Sequence, residues 1–180
     1  MPRLGDTVPV RLFVAAWPPP SGNDSLEHLS RPRLDDVRWT APEQWHVTLV
    51  FLGEVSEPQV KPLAAGLREW AGSTAPATAT AGPATRRLGR GVLCLPVRGL
   101  DAVALGVRAA TRGFGSSRDD RPFTGHLTVA RIGRRGRIPE ELVGLPAAAD
   151  WEVREVRLVA SILRPSGPRY DALELVQLAG

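Results

Sequence analysis

One cysteine, one tyrosine, one lysine and three histidines are all this chain holds of four chemically versatile residue types. The lone thiol, Cys94, excludes an internal disulfide and fits a reducing compartment. It lies in the apolar run Val92-Leu93-Cys94-Leu95, where an inert buried thiol is expected rather than a nucleophile. No apolar run approaches the roughly 20 residues that span a membrane. A secretory signal pattern is lacking too, because Arg11 to Trp17 is too short and runs into Pro18-Pro19-Pro20. A cytoplasmic protein with no membrane partner is therefore expected. No low-complexity tail or interdomain linker stands out, so residues 1–180 are expected to form one domain, and a monomer is expected. Lysine is nearly absent, with Lys61 the only one among 23 basic residues, while the net charge is +4. Arginine thus carries the positive charge. Guanidinium groups fork onto phosphate oxygens and stack on bases, which suits an RNA or nucleotide ligand. Because Ala, Gly and Pro are also abundant, charge alone carries little weight.

What is present is concentrated in two stretches. Trp45-His46-Val47-Thr48-Leu49-Val50-Phe51-Leu52-Gly53-Glu54 has a partner in Pro122-Phe123-Thr124-Gly125-His126-Leu127-Thr128-Val129-Ala130-Arg131. Each has a His, an apolar residue, a Thr and further apolar residues, in a run that reads as a strand. Successive strand side chains point to opposite faces, so His46 shares a face with Thr48, and His126 with Thr128. If the strands lie together, two imidazoles and two hydroxyls line one cleft. Two proton carriers near neutrality and two donors for an anionic oxygen suit acid–base catalysis at a phosphate ester. One lone His-x-Thr is a weak signal, but two inside apolar strands are unlikely by chance. A core histidine satisfied by its Thr is the competing reading at either site.

The rest of the chain gives a coarse order. Val10 to Trp17 reads as a strand stopped by the prolines. Ser21 to Ser30 reads as a short helix capped by Asn23 or Asp24, with Leu26 and Leu29 inward. Val37-Arg38-Trp39 is extended, and Ala41 to Gln44 turns into the first motif strand, which Gly53 to Ser56 ends. A helix follows, with Ser56 as N-cap, Val60, Leu63, Ala64, Leu67 and Trp70 at helical spacing, and Gly72 at its end. Thr74 to Thr85 holds a strand and a loop, Arg86 to Gly91 is a basic turn, and Val92 to Val97 is a buried strand. A second helix covers Leu100 to Arg112, and Gly113 to Arg121 is a loop leading to the second motif strand, His126 to Ile132. Gly133 to Arg137 is a basic turn and Pro139 to Leu142 a helical turn. Trp151 to Leu163 and Tyr170 to Leu178 read as two long strands, with imperfect apolar periodicity from Glu152 to Val159. The pattern is α+β with a motif strand in each half, as an internal duplication would give.

The two motifs resemble those of the 2H phosphoesterase superfamily. Their flanks resemble the bacterial RNA 2′,3′-cyclic phosphodiesterases, also called 2′-5′ RNA ligase-like proteins. The matching pieces are Arg11 to Ala16, His46 to Val55, Arg121 to Arg131, Ser161-Ile162-Leu163 and Gly167-Pro168-Arg169-Tyr170, in the family's order over nearly the whole chain. Gly125 departs from the pattern, where the family usually has Pro. The resemblance implies two pseudo-symmetric lobes, each an antiparallel sheet backed by helices, around a central groove. It implies a metal-independent, cofactor-free enzyme whose substrate is an RNA or nucleotide with a 2′,3′-cyclic phosphate, opened to a 2′-phosphate. Carried over by residue, His46 is the proton donor and His126 the proton acceptor, although the sequence alone permits the reverse. Thr48 and Thr128 would hold phosphate oxygens. Arg131 is a further phosphate-binding candidate, but strict alternation turns it away from His126 unless a bulge or the strand end re-aims it.

Phe123 and Tyr170 are candidates for stacking a base, against a core role for each. Arg86, Arg87, Arg90, Arg134, Arg135 and Arg137 are candidates for tracking an RNA backbone, against solvated loops. His28 lies outside both motifs and reads as surface or interface. A metal hydrolase would need a third ligand, and the histidines lack His-x-His or His-Glu-x-x-His spacing. A non-catalytic RNA-binding module, or a related enzyme acting on 2′-5′ oligonucleotides or a cyclic nucleotide metabolite, are the remaining alternatives.

Overall fold

The computed structural model describes residues 9–19, 26, 28–117, 121–133, 136–164 and 167–180. Its strands are β1 (Val10–Ala16), β2 (Val37–Trp39), β3 (Val47–Val55), β4 (Ala77–Ala81), β5 (Arg86–Leu88), β6 (Val92–Arg98), β7 (His126–Ile132), β8 (Ala149–Val153), β9 (Glu155–Arg164) and β10 (Gly167–Gln177). Two α-helices, α1 (Glu57–Ala71) and α2 (Asp101–Ala110), pack against the sheet. The strands form one curled antiparallel sheet in the order β10-β9-β1-β3-β7-β6-β4-β8, with β2 on β7 and β5 on β6. This is the expected α+β class. Each motif strand lies at the inner edge of one half-sheet, and the halves meet at a β3–β7 pair, Val47 opposite Leu127. Most of the proposed helix at residues 21–30 falls outside the described residues, although Leu26 and Leu29 are buried as expected of its inward positions.

The main core lies under the helices. Leu63 and Leu67 of α1 and Val103 and Val107 of α2 bury against Leu12 and Val14 of β1, Val47 of β3 and Leu127 of β7. A small second cluster of Phe13, Ala15 and Val159, with Trp17 and Tyr170 against it, occupies the opposite face. Strand β1 therefore buries both faces, as its unbroken apolar run requires. None of the described helices is long and apolar enough to cross a membrane.

The structure departs from the sequence reading in three places. The stretch 151–163 is two strands: β8 pairs with β4, while β9 pairs with β1 and β10 at the other end of the sheet. The imperfect periodicity marks this break. Buried positions run 151, 153 and then 156, 158, so the phase slips at Arg154 as the chain changes half-sheets. Arg86–Leu88 is a strand rather than a turn, closing a hairpin onto β6 around Gly89 and Arg90. Strand β3 also runs through Gly53 to Val55. Gly53 takes a left-handed backbone (φ 72°) beside a register shift, and a Cβ there would lie 2.6 Å from Ser116 Oγ.

Because Leu127 is fully buried at the junction of the half-sheets, Leu127→Ala should lower unfolding free energy by about 2–5 kcal/mol. Leu105→Ala, at a position 70% exposed on α2, should change it by less than about 0.5 kcal/mol. Urea unfolding of both variants measures the contrast.

Candidate active site

The pairing of Val47 with Leu127 places the motif side chains. Both residues face the core, so their neighbours face the other way. Continuing the antiparallel register sets His46 across from Thr128, and Thr48 across from His126. Each histidine is therefore nearest the other motif's threonine. The cavities on this face keep the same division. One of about 450 Å³ is lined by His46 and Thr128, with Arg38, Arg131 and Tyr170. One of about 330 Å³ is lined by His126 and Thr48, with Phe51, Arg108 and Phe123. Among the described residues no carboxylate lines either cavity.

Both imidazoles are held in the same way. His46 Nδ1 lies 2.7 Å from the Gln44 carbonyl oxygen, and His126 Nδ1 lies 2.8 Å from the Thr124 carbonyl oxygen. A carbonyl only accepts, so Nδ1 carries the hydrogen in each ring. Nε2 is then the atom each ring has free to take or give a proton. The carbonyl lies two residues before the histidine in both motifs, so the local backbone itself sets the tautomer. Gly125 fits this entry, since the Val97 N–H donates to its carbonyl at 2.8 Å and a Cβ on it would lie 2.3 Å from the Val97 oxygen.

The surroundings of the two rings differ. His46 stacks on Trp17, with centroids 5.0 Å apart, and lies 5.3 Å from Phe13 and 5.1 Å from Tyr170, whose ring is nearly perpendicular to it. Trp17 is itself covered by the Arg157 guanidinium at 5.0 Å. Burial in this aromatic bed pushes the His46 pKa below its ordinary 6.5. The bond to the Gln44 carbonyl acts in the opposite direction, and the charges of Arg131 and His126 add to the lowering.

Residues 18–83 match the family model of the LigT like phosphoesterases. An RNA 2′,3′-cyclic phosphodiesterase of Archaeoglobus fulgidus is 30% identical over 185 residues, covering 93% of this chain and 100% of the relative. The chain belongs to the LigT-like RNA 2′,3′-cyclic phosphodiesterase family. The Thermus thermophilus enzyme of that name is 31% identical, covering 95% of this chain and 91% of its own. A Geobacillus stearothermophilus relative is longer, and the chain spans about half of it (48%) at 31% identity. Among solved structures, a Thermus thermophilus protein superposes with a TM-score of 0.77 at 29% identity, covering 94% of this chain and 98% of that one. Escherichia coli LigT complexed with 3′-AMP superposes with a TM-score of 0.73 at 30% identity, covering 96% and 99%.

In this LigT-like phosphodiesterase the second motif strand carries the bulge that Arg131 needs. Cys94 pairs with Thr128 and Leu93 with Ala130, which leaves Val129 as the extra residue. That shift brings Arg131 into the His46 cavity. The first motif strand has a matching irregularity: Ala15 pairs with Thr48 and Val14 with Val50, leaving Leu49 extra. Phe51 follows it to the cavity face and is 39% exposed. The fifth residue after each histidine thus reaches the cleft.

Phe123 lines the His126 cavity and also packs against the main core, while Tyr170 reaches the His46 cavity with its ring at 78° to the imidazole. Of the proposed backbone-tracking arginines, Arg87 is committed elsewhere, donating to the Ile138 carbonyl at 2.9 Å and pairing with Glu140 at 2.6 Å. Arg134 and Arg135 lie outside the described residues. Cys94 is buried, which pushes its thiol pKa up, and His28 is exposed. Among the described residues no three His, Cys, Asp or Glu side chains converge as a metal site would require. The sequence reading misses Phe13 and Trp17. Their alternation with Leu12, Val14 and Ala16 signals a second buried face, but not that His46 sits on it.

Trp17→Ala removes one aromatic wall and admits water to the His46 ring. Its midpoint, followed by ring-proton NMR against pH, should lie below 6.5 in the parent protein and rise toward that value in the variant. A midpoint that stays put would mean burial by Trp17 is not what lowers it.

Proposed function

We propose that this protein hydrolyses the terminal 2′,3′-cyclic phosphate of an RNA or nucleotide to a 2′-phosphomonoester, without a metal. The supporting observation is the matched tethering of His46 and His126, which leaves Nε2 free on each ring, beside a threonine from the other motif. Acid–base hydrolysis of a phosphodiester needs one proton acceptor and one donor, on opposite sides of phosphorus. In this reading His126 Nε2 takes the proton of the attacking water as its oxygen bonds to phosphorus. The bond from phosphorus to the 3′ oxygen breaks, and that oxygen takes the proton from His46 Nε2. The step ends with His126 charged and His46 neutral, and exchange with solvent resets both.

The asymmetry of the site supports this division of labour. A proton on His46 is held weakly because the ring is buried, so it is readily given to an alkoxide. A cyclic phosphate anion in the cavity supplies the negative charge that favours the protonated form on binding. Thr48 and Thr128 donate to the non-bridging oxygens, and Arg131 balances their charge. Phe123 lines the cavity on the His126 side and Tyr170 the cavity on the His46 side, each placed to meet a base. The solved complex of Escherichia coli LigT with 3′-AMP supports a nucleotide in the groove.

His46→Ala and His126→Ala should each lower turnover of a cyclic-ended RNA by about a hundredfold or more, with unfolding curves showing a retained fold. Near-full activity in either variant would rule out a two-histidine mechanism. The product should carry its phosphate on the 2′ oxygen, as read by phosphorus NMR, and activity should persist in EDTA. Activity lost to the chelator and restored by zinc would favour a metal hydrolase.

A further inference from the structure

Arg38 of β2 lies directly opposite Arg131 of β7 in the antiparallel register. Like charges facing each other across a strand pair destabilise a sheet, and among the described residues no carboxylate pairs with either of them. Both arginines are exposed, both line the His46 cavity, and no acidic side chain lines that cavity among the described residues. Among the described residues neither makes an ion pair, whereas Arg68, Arg87, Arg154, Arg157 and Arg169 all do. Two adjacent guanidiniums with no carboxylate partner among the described residues fit an anionic ligand with more than one charged group.

The chemistry of ring opening says where the second group lies. The leaving oxygen belongs to the ribose, so the nucleoside must extend toward the acid that protonates it. With His46 as the acid, the ribose and the chain on its 5′ side enter the His46 cavity, where the two arginines are. We propose that Arg38 binds the internucleotide phosphate on the 5′ side of the terminal ribose, while Arg131 attends the reacting phosphate. The preferred substrate is then an RNA chain end rather than a cyclic mononucleotide. This rests on the proposed hydrolysis and on His46 as its acid.

Steady-state kinetics on two substrates test it: adenosine 2′,3′-cyclic phosphate, which has no second phosphate, and a short RNA ending in the same group. The parent protein should have the higher kcat/KM on the RNA. Arg38→Gln should cut the ratio of the two kcat/KM values about tenfold, mainly through KM for the RNA, as loss of one charge-assisted phosphate contact predicts. The slope of log kcat/KM for the RNA against log salt should become shallower by about 0.7, the single-strand value for one phosphate contact. Arg38→Lys should restore part of the preference. A ratio unchanged by Arg38→Gln, or a parent protein with no preference for RNA, overturns the assignment while leaving the hydrolysis intact. A parent protein that opens neither substrate overturns both.

Discussion

The contact between Val47 and Leu127 is the constraint from which the site follows. It is the described link between the two motif strands, and both side chains are buried in the core beneath it. An antiparallel pair has a local two-fold axis, so identical motifs on its strands are placed symmetrically about that point. Each histidine thereby lies beside the other motif's threonine. A slip of one residue would turn all four polar side chains into the core and the two apolar ones into the cleft. The burial that holds the half-sheets together therefore also holds the register of the site.

Symmetry of backbone does not extend to environment. Both imidazoles are tethered through Nδ1 to a carbonyl two residues earlier. One then lies in a bed of Phe13, Trp17 and Tyr170, while the other opens onto a cavity shared with Arg108 and Phe123. Two equivalent groups in unequal surroundings can bind protons with unequal strength, as the proposed division into acid and base requires. The bulges at Leu49 and Val129 repeat the pattern, similar in backbone and different in outcome. One delivers Phe51 to the cleft, the other Arg131.

Much of this is legible in the residues alone. The two motif strands, helices α1 and α2 and the buried strand around Cys94 follow from apolar spacing and from Pro and Gly at their ends. The join of β8 and β9 escapes such a reading because both segments are apolar and adjacent, and only the phase slip at Arg154 separates them. Arg86–Leu88 escapes it because charged side chains on a short edge strand look like those of a turn, and its partner β6 supplies the ladder bonds. The need for a bulge before Arg131 can be stated from alternation, but whether one forms depends on how β7 meets β6.

The sequence by itself determined which residues have the right chemistry and which share a strand face, because alternation is a local property of extended backbone. It also determined that the positive charge would be almost wholly arginine. Which groups meet was decided only by the fold. Phe13, Trp17 and Tyr170 reach His46, and Arg38 reaches Arg131, through pairings between strands far apart in the chain. No local pattern encodes such a register, since it is chosen by the burial of both sheet faces at once.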